Sequence, residues 1–432
     1  MIRFALVIVG FFAAFPAVAG IEIKEVTSPG GIKAWLVEEP SIPFVALELR
    51  FKGGTSLDAP GKRGATNLMV GLLEEGAGDL DAQGFARASE ALAAQLGYDS
   101  HDDAVAISAR FLTENQDEAL ELLRLSLIEP TFPQVAVDRV RTQVLSGIRS
   151  SATDPDEIAG KRFNALVFGD HPYGSDGAGT VESVTALTRE DIVAAHQGAL
   201  ARDRLYVSAV GDITVEELGP MLDQLLGALP ETGAPMPEAA VVTLDGGVEV
   251  VEFETPQSVA LFGQPGIHRD DPDFFAAYLL NTILGGGGFE SRLMTEVREK
   301  RGLTYGVYSY LVLKDLANLY LGSVASANDR IGEAIEVIRA EWARMAETGV
   351  SAKELADAKA LLTGAYPLRF DGNGSIAKIM VGMQVDQMPI DYIATRNAKV
   401  DAVTLEDVNR VAGELLDPDA LKFVVVGKPD GV

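Results

Sequence analysis

The sequence carries the same pattern, one strand followed by two helices, in its first and its second half. In each copy, alternating apolar and polar residues mark the strand, and apolar residues at helical spacing mark the helices. The copies lie about 216 residues apart, and such a repeat predicts two similarly folded halves. The first copy is strand 104–111 with helices 113–127 and 134–149, and the second is strand 319–325 with helices 331–345 and 352–362.

Further strands precede and follow these repeats, and they do not alternate strictly with helices. This order predicts an α+β fold in which each half has an antiparallel-rich sheet with helices packed on one face. The predicted strands are residues 32–37, 45–51, 104–111 and 205–211 in the first half, and 247–254, 259–264, 305–313, 319–325 and 422–426 in the second.

A segment rich in proline separates the two halves. Leu229-Pro230-Glu231-Thr232-Gly233-Ala234-Pro235-Met236-Pro237-Glu238 has three prolines, a glycine and no apolar period, which is typical of a surface linker. We place the division near residue 235. The predicted organisation is a leader at 1–19, an N-terminal half at 20–230, a linker at 231–246 and a C-terminal half at 247–432.

The first 19 residues have the three parts of a secretory signal peptide. A single cation, Arg3, precedes an apolar stretch, and Ala17-Val18-Ala19 then offers a cleavage site before Gly20. A membrane anchor is the alternative, but the apolar stretch is shorter than the ~20 residues that a spanning helix needs. We therefore expect cleavage, no membrane span in the mature chain, and a periplasmic location.

Composition limits the partners and the chemistry. Asp and Glu number 63 against 36 Lys and Arg, so the net charge is −27. Such a surface repels phosphate backbones, and we do not expect nucleic acid as a partner. The chain has no cysteine. Disulfides, thiolate metal sites and a cysteine nucleophile are thereby excluded.

Several segments, in order along nearly the whole mature chain, resemble the pitrilysin/insulinase-type zinc peptidases. This resemblance implies two like halves per chain and two chains that close around a chamber admitting peptides. The segments are Phe168-Gly169-Asp170-His171-Pro172-Tyr173-Gly174, Gly179-Thr180-Val181-Glu182-Ser183-Val184, Val210-Gly211-Asp212-Ile213, Leu284-Gly285-Gly286-Gly287-Gly288-Phe289-Glu290-Ser291-Arg292-Leu293 and Glu296-Val297-Arg298-Glu299-Lys300-Arg301-Gly302-Leu303-Thr304-Tyr305-Gly306.

The zinc-binding motif of that family, His-x-x-Glu-His, is missing from this sequence. The resemblance places Asn67 and Gly71 at the two histidine positions, Val70 at the position of the general base, and Gly147 at that of the third ligand. An amide, an alkyl group and two hydrogens do not supply the nitrogen and carboxylate donors that zinc takes. The sequence therefore predicts no metal cofactor in this chain and, by resemblance, zinc in a partner subunit.

The four histidines do not offer a replacement site. His101, His171, His196 and His268 share no i, i+3 or i, i+4 spacing, so one helix cannot present two of them to an ion. The best remaining cluster, His101-Asp102-Asp103, reads as a solvated turn. His171 is expected to lock its loop by hydrogen bonds, and His196 and His268 are expected at the surface.

No other catalytic signature is present in the sequence. It has no Gly-x-Ser-x-Gly elbow, and the glycine run 285–288 lacks the residues that complete a phosphate-binding loop. The run has two interpretations: a turn that lets backbone segments approach closely, or a direct contact with peptide through Gly286 and Gly287.

Arg298 and Tyr305 carry the functional prediction. Taken alone, Arg298 could simply compensate a helix dipole, and Tyr305 could be a half-buried packing residue. By resemblance, both residues bind substrate and stabilise the oxyanion at a zinc site, here that of a partner. The sequence thus predicts a non-catalytic subunit of a heterodimeric zinc peptidase, inactive alone and completed by a homologous chain with His-x-x-Glu-His. The alternatives are a peptide-binding protein or a scaffold without hydrolysis.

Overall fold

The computed structural model describes residues 21–432. The predicted signal peptide and Gly20 lie outside these residues and stay predictions. Within the described part, no helix combines the length and apolar character needed to cross a membrane.

From residue 21 onward, the first half of the chain contains eight strands and eight α-helices. The strands are β1 Lys24–Thr27, β2 Lys33–Glu38, β3 Phe44–Lys52, β4 Gly76–Ala77, β5 Leu80–Asp81, β6 Gln95–Ser100, β7 Ala104–Leu112 and β8 Leu205–Gly211. The helices are α1 Ala65–Val70, α2 Ala82–Ala91, α3 Gln116–Ile128, α4 Gln134–Ser151, α5 Pro155–Phe168, α6 Val181–Ala186, α7 Arg189–Ala199 and α8 Val215–Leu226.

The second half contains five strands and six α-helices. The strands are β9 Gly247–Glu252, β10 Gln257–Pro265, β11 Val307–Leu313, β12 Asn318–Ala327 and β13 Lys422–Gly427. The helices are α9 Phe274–Asn281, α10 Ile331–Thr348, α11 Ala352–Ala365, α12 Asn373–Val385, α13 Tyr392–Ala402 and α14 Leu405–Leu415.

The two large sheets have the same topology, which confirms the predicted α+β fold with two like halves. The first sheet has the order β1-β2-β8-β3-β7-β6 and the second the order β11-β12-β10-β13-β9. If β1 is left out, the second sheet read from β9 to β11 has strands equivalent to β2, β8, β3, β7 and β6 of the first sheet, in that order. All pairs are antiparallel except β2 with β8 and β13 with β9.

Each sheet buries one face under helices of its own half. Along β3, the alternate residues Val45, Leu47, Leu49 and Phe51 join the core beneath the helices of the first half. The second sheet is covered in the same way, with Trp342 of α10 fully buried. Helices α7 and α14 occupy equivalent places, and both begin with a capping box.

The second face of each sheet is covered by one helix from the other half. Helix α5 lays Phe163 and Val167 on the second sheet, in a cluster with Leu321 and Val424. Helix α12 covers the first sheet in return. Its Ala377 and Met380 pack on Ala46 and Val210, and the Ser208 hydroxyl donates to the Ala377 carbonyl at 2.6 Å.

The segment between α8 and β9 contains no helix or strand and is bonded to both halves. The Ala234 N–H donates to the Gly198 carbonyl at 2.9 Å, and the Ala240 N–H donates to the Leu316 carbonyl at 2.9 Å. These bonds hold the segment against the surface. The exact division at 230 and 247 stays a prediction.

His196, expected at the surface, is instead partly buried, and this expectation was wrong. Its Nε2 lies 2.8 Å from the Leu127 carbonyl, and its ring packs edge-on against Phe132 at 5.8 Å between centroids. Burial lowers the pKa of His196 below its usual value. His268 is exposed as expected, with Nδ1 2.8 Å from the Asn318 amide.

Removing the Phe163 side chain should destabilise both halves together. We expect Phe163→Ala to lower the free energy of unfolding by about 3–5 kcal/mol, because the truncation opens a cavity between α5 and the second sheet. Urea denaturation measures this change. Val135→Ala is the control, since Val135 is 78% exposed on α4 and its truncation should cost less than about 0.5 kcal/mol. A loss for Phe163→Ala no larger than that of the control would contradict the packing of α5.

His196 should make the fold sensitive to mild acid. Its folded pKa lies below its unfolded pKa of about 6.5, so the unfolded chain binds the extra proton first as pH falls below that value. We expect the unfolding free energy to drop between pH 7.5 and 5.5, and to drop less in His196→Gln, whose amide can still donate to Leu127. Urea denaturation at both pH values measures the two slopes, and equal slopes would refute the assignment.

Candidate functional site

Arg298 lies at the end of the π-helix Met294–Glu299, with its guanidinium over an exposed aromatic ring. The helix ends at Glu299, and the turn after it closes at Gly302, which has φ 61° and donates its N–H to the Arg298 carbonyl at 2.8 Å. The Cζ atom of Arg298 lies 4.6 Å from the centre of the Phe289 ring. The guanidinium forms no hydrogen bond or ion pair with any residue between 21 and 432.

The cations next to Arg298 are all paired, which sets Arg298 apart. Arg292 binds Glu354 with a 2.6 Å contact, and this bond lowers the pKa of Glu354 to about 2. Lys300 and Arg301 both bind Glu296, at 2.6 and 2.9 Å. Four cations thus stand within ten residues, and Arg298 is the one of these four whose side chain has no hydrogen-bond or ion-pair partner among residues 21–432.

Tyr305 is 88% exposed, and it lies just before β11 rather than within it. The predicted strand began at residue 305, but the observed one begins at Val307, because the Thr304 hydroxyl turns the chain by bonding to the Ala325 carbonyl at 2.6 Å. The half-buried packing role considered for Tyr305 is therefore excluded by its exposure.

Strand β11, which Tyr305 precedes, is an edge strand. Its partner in the sheet is β12, and its other side meets no strand of the described chain. Tyr308 and Tyr310 point outward from it and are partly exposed, as is Phe289 nearby. The equivalent edge of the first sheet is β6. Both edges leave backbone groups that a further strand could pair with.

The glycine run packs closely against neighbouring backbone. A Cβ on Gly285 would lie 2.6 Å from the backbone nitrogen of Ser309 in β11, and one on Gly287 would lie 2.6 Å from the carbonyl oxygen of Thr282. Both distances are too short for any side chain, which accounts for glycine by close approach. Gly286 is exposed and Gly287 partly so, and their contact with peptide stays a prediction.

The structure brings two of the three metal-ligand positions together. Asn67 on α1 and Gly147 on α4 line one open cavity of about 510 Å³. Gly71 directly follows the last residue of α1 and is exposed, whereas Val70 is buried in the core. The Asn67 side-chain oxygen accepts a hydrogen bond from the Ser100 hydroxyl at 3.2 Å.

The residues at this cavity do not fit zinc. Glycine offers no side-chain donor, and the oxygen of Asn67 is already bonded. Of the three carboxylates that line the cavity, Asp154 caps α5 and Asp176 pairs with Lys161 at 2.8 Å, which leaves Glu157 as a single carboxylate donor. Across residues 21–432, no group of three or more His, Asp or Glu side chains could hold a metal ion.

The cluster His101-Asp102-Asp103 forms the turn between β6 and β7, and it binds the other half of the chain. Asp102 forms an ion pair with Lys314, and Asp103 accepts a hydrogen bond from the Asp315 N–H at 3.3 Å. Lys52 pairs with Asp315 at 3.0 Å in the same contact. These carboxylates therefore join the β6–β7 turn to the β11–β12 turn, which is a structural role.

His171 locks its loop as expected. Its Nδ1 accepts a hydrogen bond from the Tyr173 N–H at 3.2 Å, and its Nε2 lies 3.1 Å from the Glu238 carbonyl.

The structure also has a cavity beside β11 that is lined by several cations, and the sequence did not predict it. Its lining residues come from distant segments of the chain, so no local pattern indicates it.

Two family models match the chain. The model described as insulinase (peptidase family M16) matches residues 33–181, and the one described as peptidase M16 inactive domain matches residues 186–362. Together they span well over half of the sequence.

Curated relatives match along almost the whole length. A protein of Helicobacter pylori named non-peptidase homolog YmxG is 27% identical over 390 residues, which cover 90% of each chain. A protein of Streptomyces coelicolor named an uncharacterized zinc protease is 28% identical over 410 residues, covering 91% of this chain and 87% of the relative.

Solved structures agree in fold. A peptidase M16 inactive domain from Pseudomonas fluorescens has a TM-score of 0.88 and 29% identity, covering 95% of this chain and 98% of its own. A protease from H. pylori has a TM-score of 0.85 at 18% identity, covering 94% and 99%, which shows the shared fold. The shared topology and the two family matches show that this chain belongs to the M16, or insulinase, peptidase family.

Proposed function

We propose that this chain is the non-catalytic subunit of a heterodimeric zinc peptidase. A homologous partner with His-x-x-Glu-His would hold the zinc, and this chain would contribute Arg298 and Tyr305 to the composite site. The observation that carries the proposal is the guanidinium of Arg298, unpaired among the described residues, together with a tyrosine seven residues later that is 88% exposed.

The chemistry of the two side chains suits such a site. A guanidinium presents donors in a fixed fork that can orient a peptide carbonyl. A phenol hydroxyl can donate a hydrogen bond to the oxyanion that forms when water attacks that carbonyl. The side chains of Arg298 and Tyr305 have no partner among residues 21–432 and are available for a ligand, whereas the paired cations Arg292, Lys300 and Arg301 are not.

The edge strands give the peptide a place to lie. An extended segment can add to β6 or β11 through main-chain hydrogen bonds, which give affinity with little sequence preference. The exposed ring of Tyr308 and that of Phe289 beside Arg298 can pack against its side chains. The glycines 286 and 287 would approach the same segment.

The second candidate is a peptide-binding or scaffold protein without hydrolysis. It is favoured by the misfit between the Asn67 cavity and zinc, and by the name of the H. pylori relative, a non-peptidase homolog. A native complex without any His-x-x-Glu-His chain would favour it.

The proposed location of the protein is the periplasm, and cell fractionation would test it.

The Arg298 and Tyr305 side chains should each matter in the assembled complex. We expect Arg298→Ala and Tyr305→Phe to lower kcat for peptide cleavage by about 10²–10³ each, because each removes one donor from the transition state. The assay uses the native complex purified through a tag on this chain. Arg87→Ala is the control, since Arg87 is exposed on α2 and should leave kcat unchanged. Cleavage that is indifferent to Arg298 and Tyr305 would sink the composite site.

Metal removal should affect the peptidase activity of the complex but not the thermal stability of this subunit. A chelator should abolish peptide cleavage by the complex and leave the Tm of the isolated chain unchanged, because this chain has no fitting donor set. Differential scanning calorimetry and metal analysis of the isolated chain measure the second effect. Stoichiometric zinc in the isolated chain would contradict the assignment.

A further inference from the structure

A cavity of about 690 Å³ opens beside the edge strand β11, separate from the Asn67 cavity. Its walls come from β11, α9, α12 and α13, and from the segment that links α11 to α12. Tyr310 belongs to both β11 and the cavity wall, so the cavity adjoins the edge strand that Tyr305 precedes. It has room for a ligand larger than an inorganic ion.

The lining is rich in cations although the chain as a whole is strongly acidic. Arg269, Arg369, Lys378 and Arg396 line the cavity, against one carboxylate, Asp386. Arg269 forms an ion pair with Asp386 at 3.0 Å. The other three cations form no ion pair with a carboxylate of residues 21–432.

Arg396 is the most constrained of these cations. It is only 4% exposed, and its guanidinium lies over the rings of Tyr366 at 4.5 Å and Tyr278 at 5.7 Å. Its Nη1 donates to two neutral oxygens, the Leu362 carbonyl at 2.8 Å and Asn397 Oδ1 at 3.0 Å. A buried charge without a counterion is unfavourable, and a ligand anion in the cavity would relieve it.

Three tyrosines complete the lining with hydroxyl donors. The hydroxyls of Tyr310, Tyr366 and Tyr392 form no hydrogen bond with the described chain. Burial raises the pKa of all three phenols, so each hydroxyl stays protonated and can donate a hydrogen bond. Guanidinium and phenol donors around one space match the oxygens of a carboxylate.

We propose that this cavity binds a carboxylate carried by a peptide segment, either an acidic side chain or the carboxyl-terminal group. The cations fix the carboxylate, and the aromatic rings pack against the rest of the segment. The choice of a peptide as carrier rests on the proposed function, whereas the anion site rests on the lining alone. Free phosphate has the same charge chemistry and is the competing source.

Binding to the full mature chain, without any partner, tests the proposal by calorimetric titration. The probes are Ac-Ala-Tyr-Glu-Ala-NH₂, its Gln counterpart, the Gln peptide with a free carboxyl end, and inorganic phosphate. We expect one or both carboxylate peptides to bind at least tenfold more tightly than the neutral peptide, and the difference to shrink as salt is added. Equal affinity for the Glu and Gln peptides and the free-carboxyl peptide, or binding of phosphate alone, would overturn the proposal.

Variants of the lining assign the binding to this cavity. Arg369→Gln should weaken binding of the carboxylate peptides about 10- to 100-fold, because it removes one charge-assisted contact from an exposed position. Arg396→Gln should do the same, and Lys378→Gln replaces it in the test if the buried variant fails to fold. Arg87→Gln is the matched control with the same change of net charge.

A loss in the control as large as in Arg369→Gln would overturn the proposal, because binding would then follow net charge alone. The test stays independent of the composite peptidase site. Carboxylate binding can persist when the complex proves inactive, and cleavage can depend on Arg298 when this cavity binds nothing.

Discussion

The structure depends on an exchange of helices between its two halves. Each sheet has apolar residues on both faces, and the helices of its own half cover only one of them. Helix α5 covers the second face of the second sheet, and α12 covers that of the first, with Gln384 donating to the Val207 carbonyl at 2.7 Å. Neither half can bury its apolar surface alone. The relative position of the two edge strands is fixed for this reason.

The same architecture explains how the chain can lack a zinc site and keep its fold. Helix α1 holds its place through Leu68 and Met69, which are fully buried. The ligand positions Asn67, Gly71 and Gly147 face a cavity or solvent, so their identity contributes little to burial. Val70 is buried in the core, where a glutamate would need a partner for its charge.

Periodicity predicted most of the fold and little of the site. All nine predicted strands are present with bounds within two residues, because their apolar alternation reflects real burial. Strand β6 was missed because it is a polar edge strand, held by pairing with β7. The packing of α5 and α12 on the sheet of the other half could not be predicted from the sequence, because apolar spacing shows that a helix packs on something but not on which sheet it packs. The environment of Arg396 was equally hidden, because Tyr278 and Tyr366 reach it from other elements.

Unpaired cations in an acidic chain require a structural explanation. With 63 carboxylate residues against 36 cations, carboxylate partners outnumber the cations that need one. Arg298 is instead held over the Phe289 ring, and Arg396 lies between two tyrosines with neutral acceptors. Aromatic faces stabilise a guanidinium without neutralising it. The fold therefore keeps these charges available along one surface beside β11, where a peptide with oxygen acceptors can take the place that a carboxylate of this chain would otherwise fill.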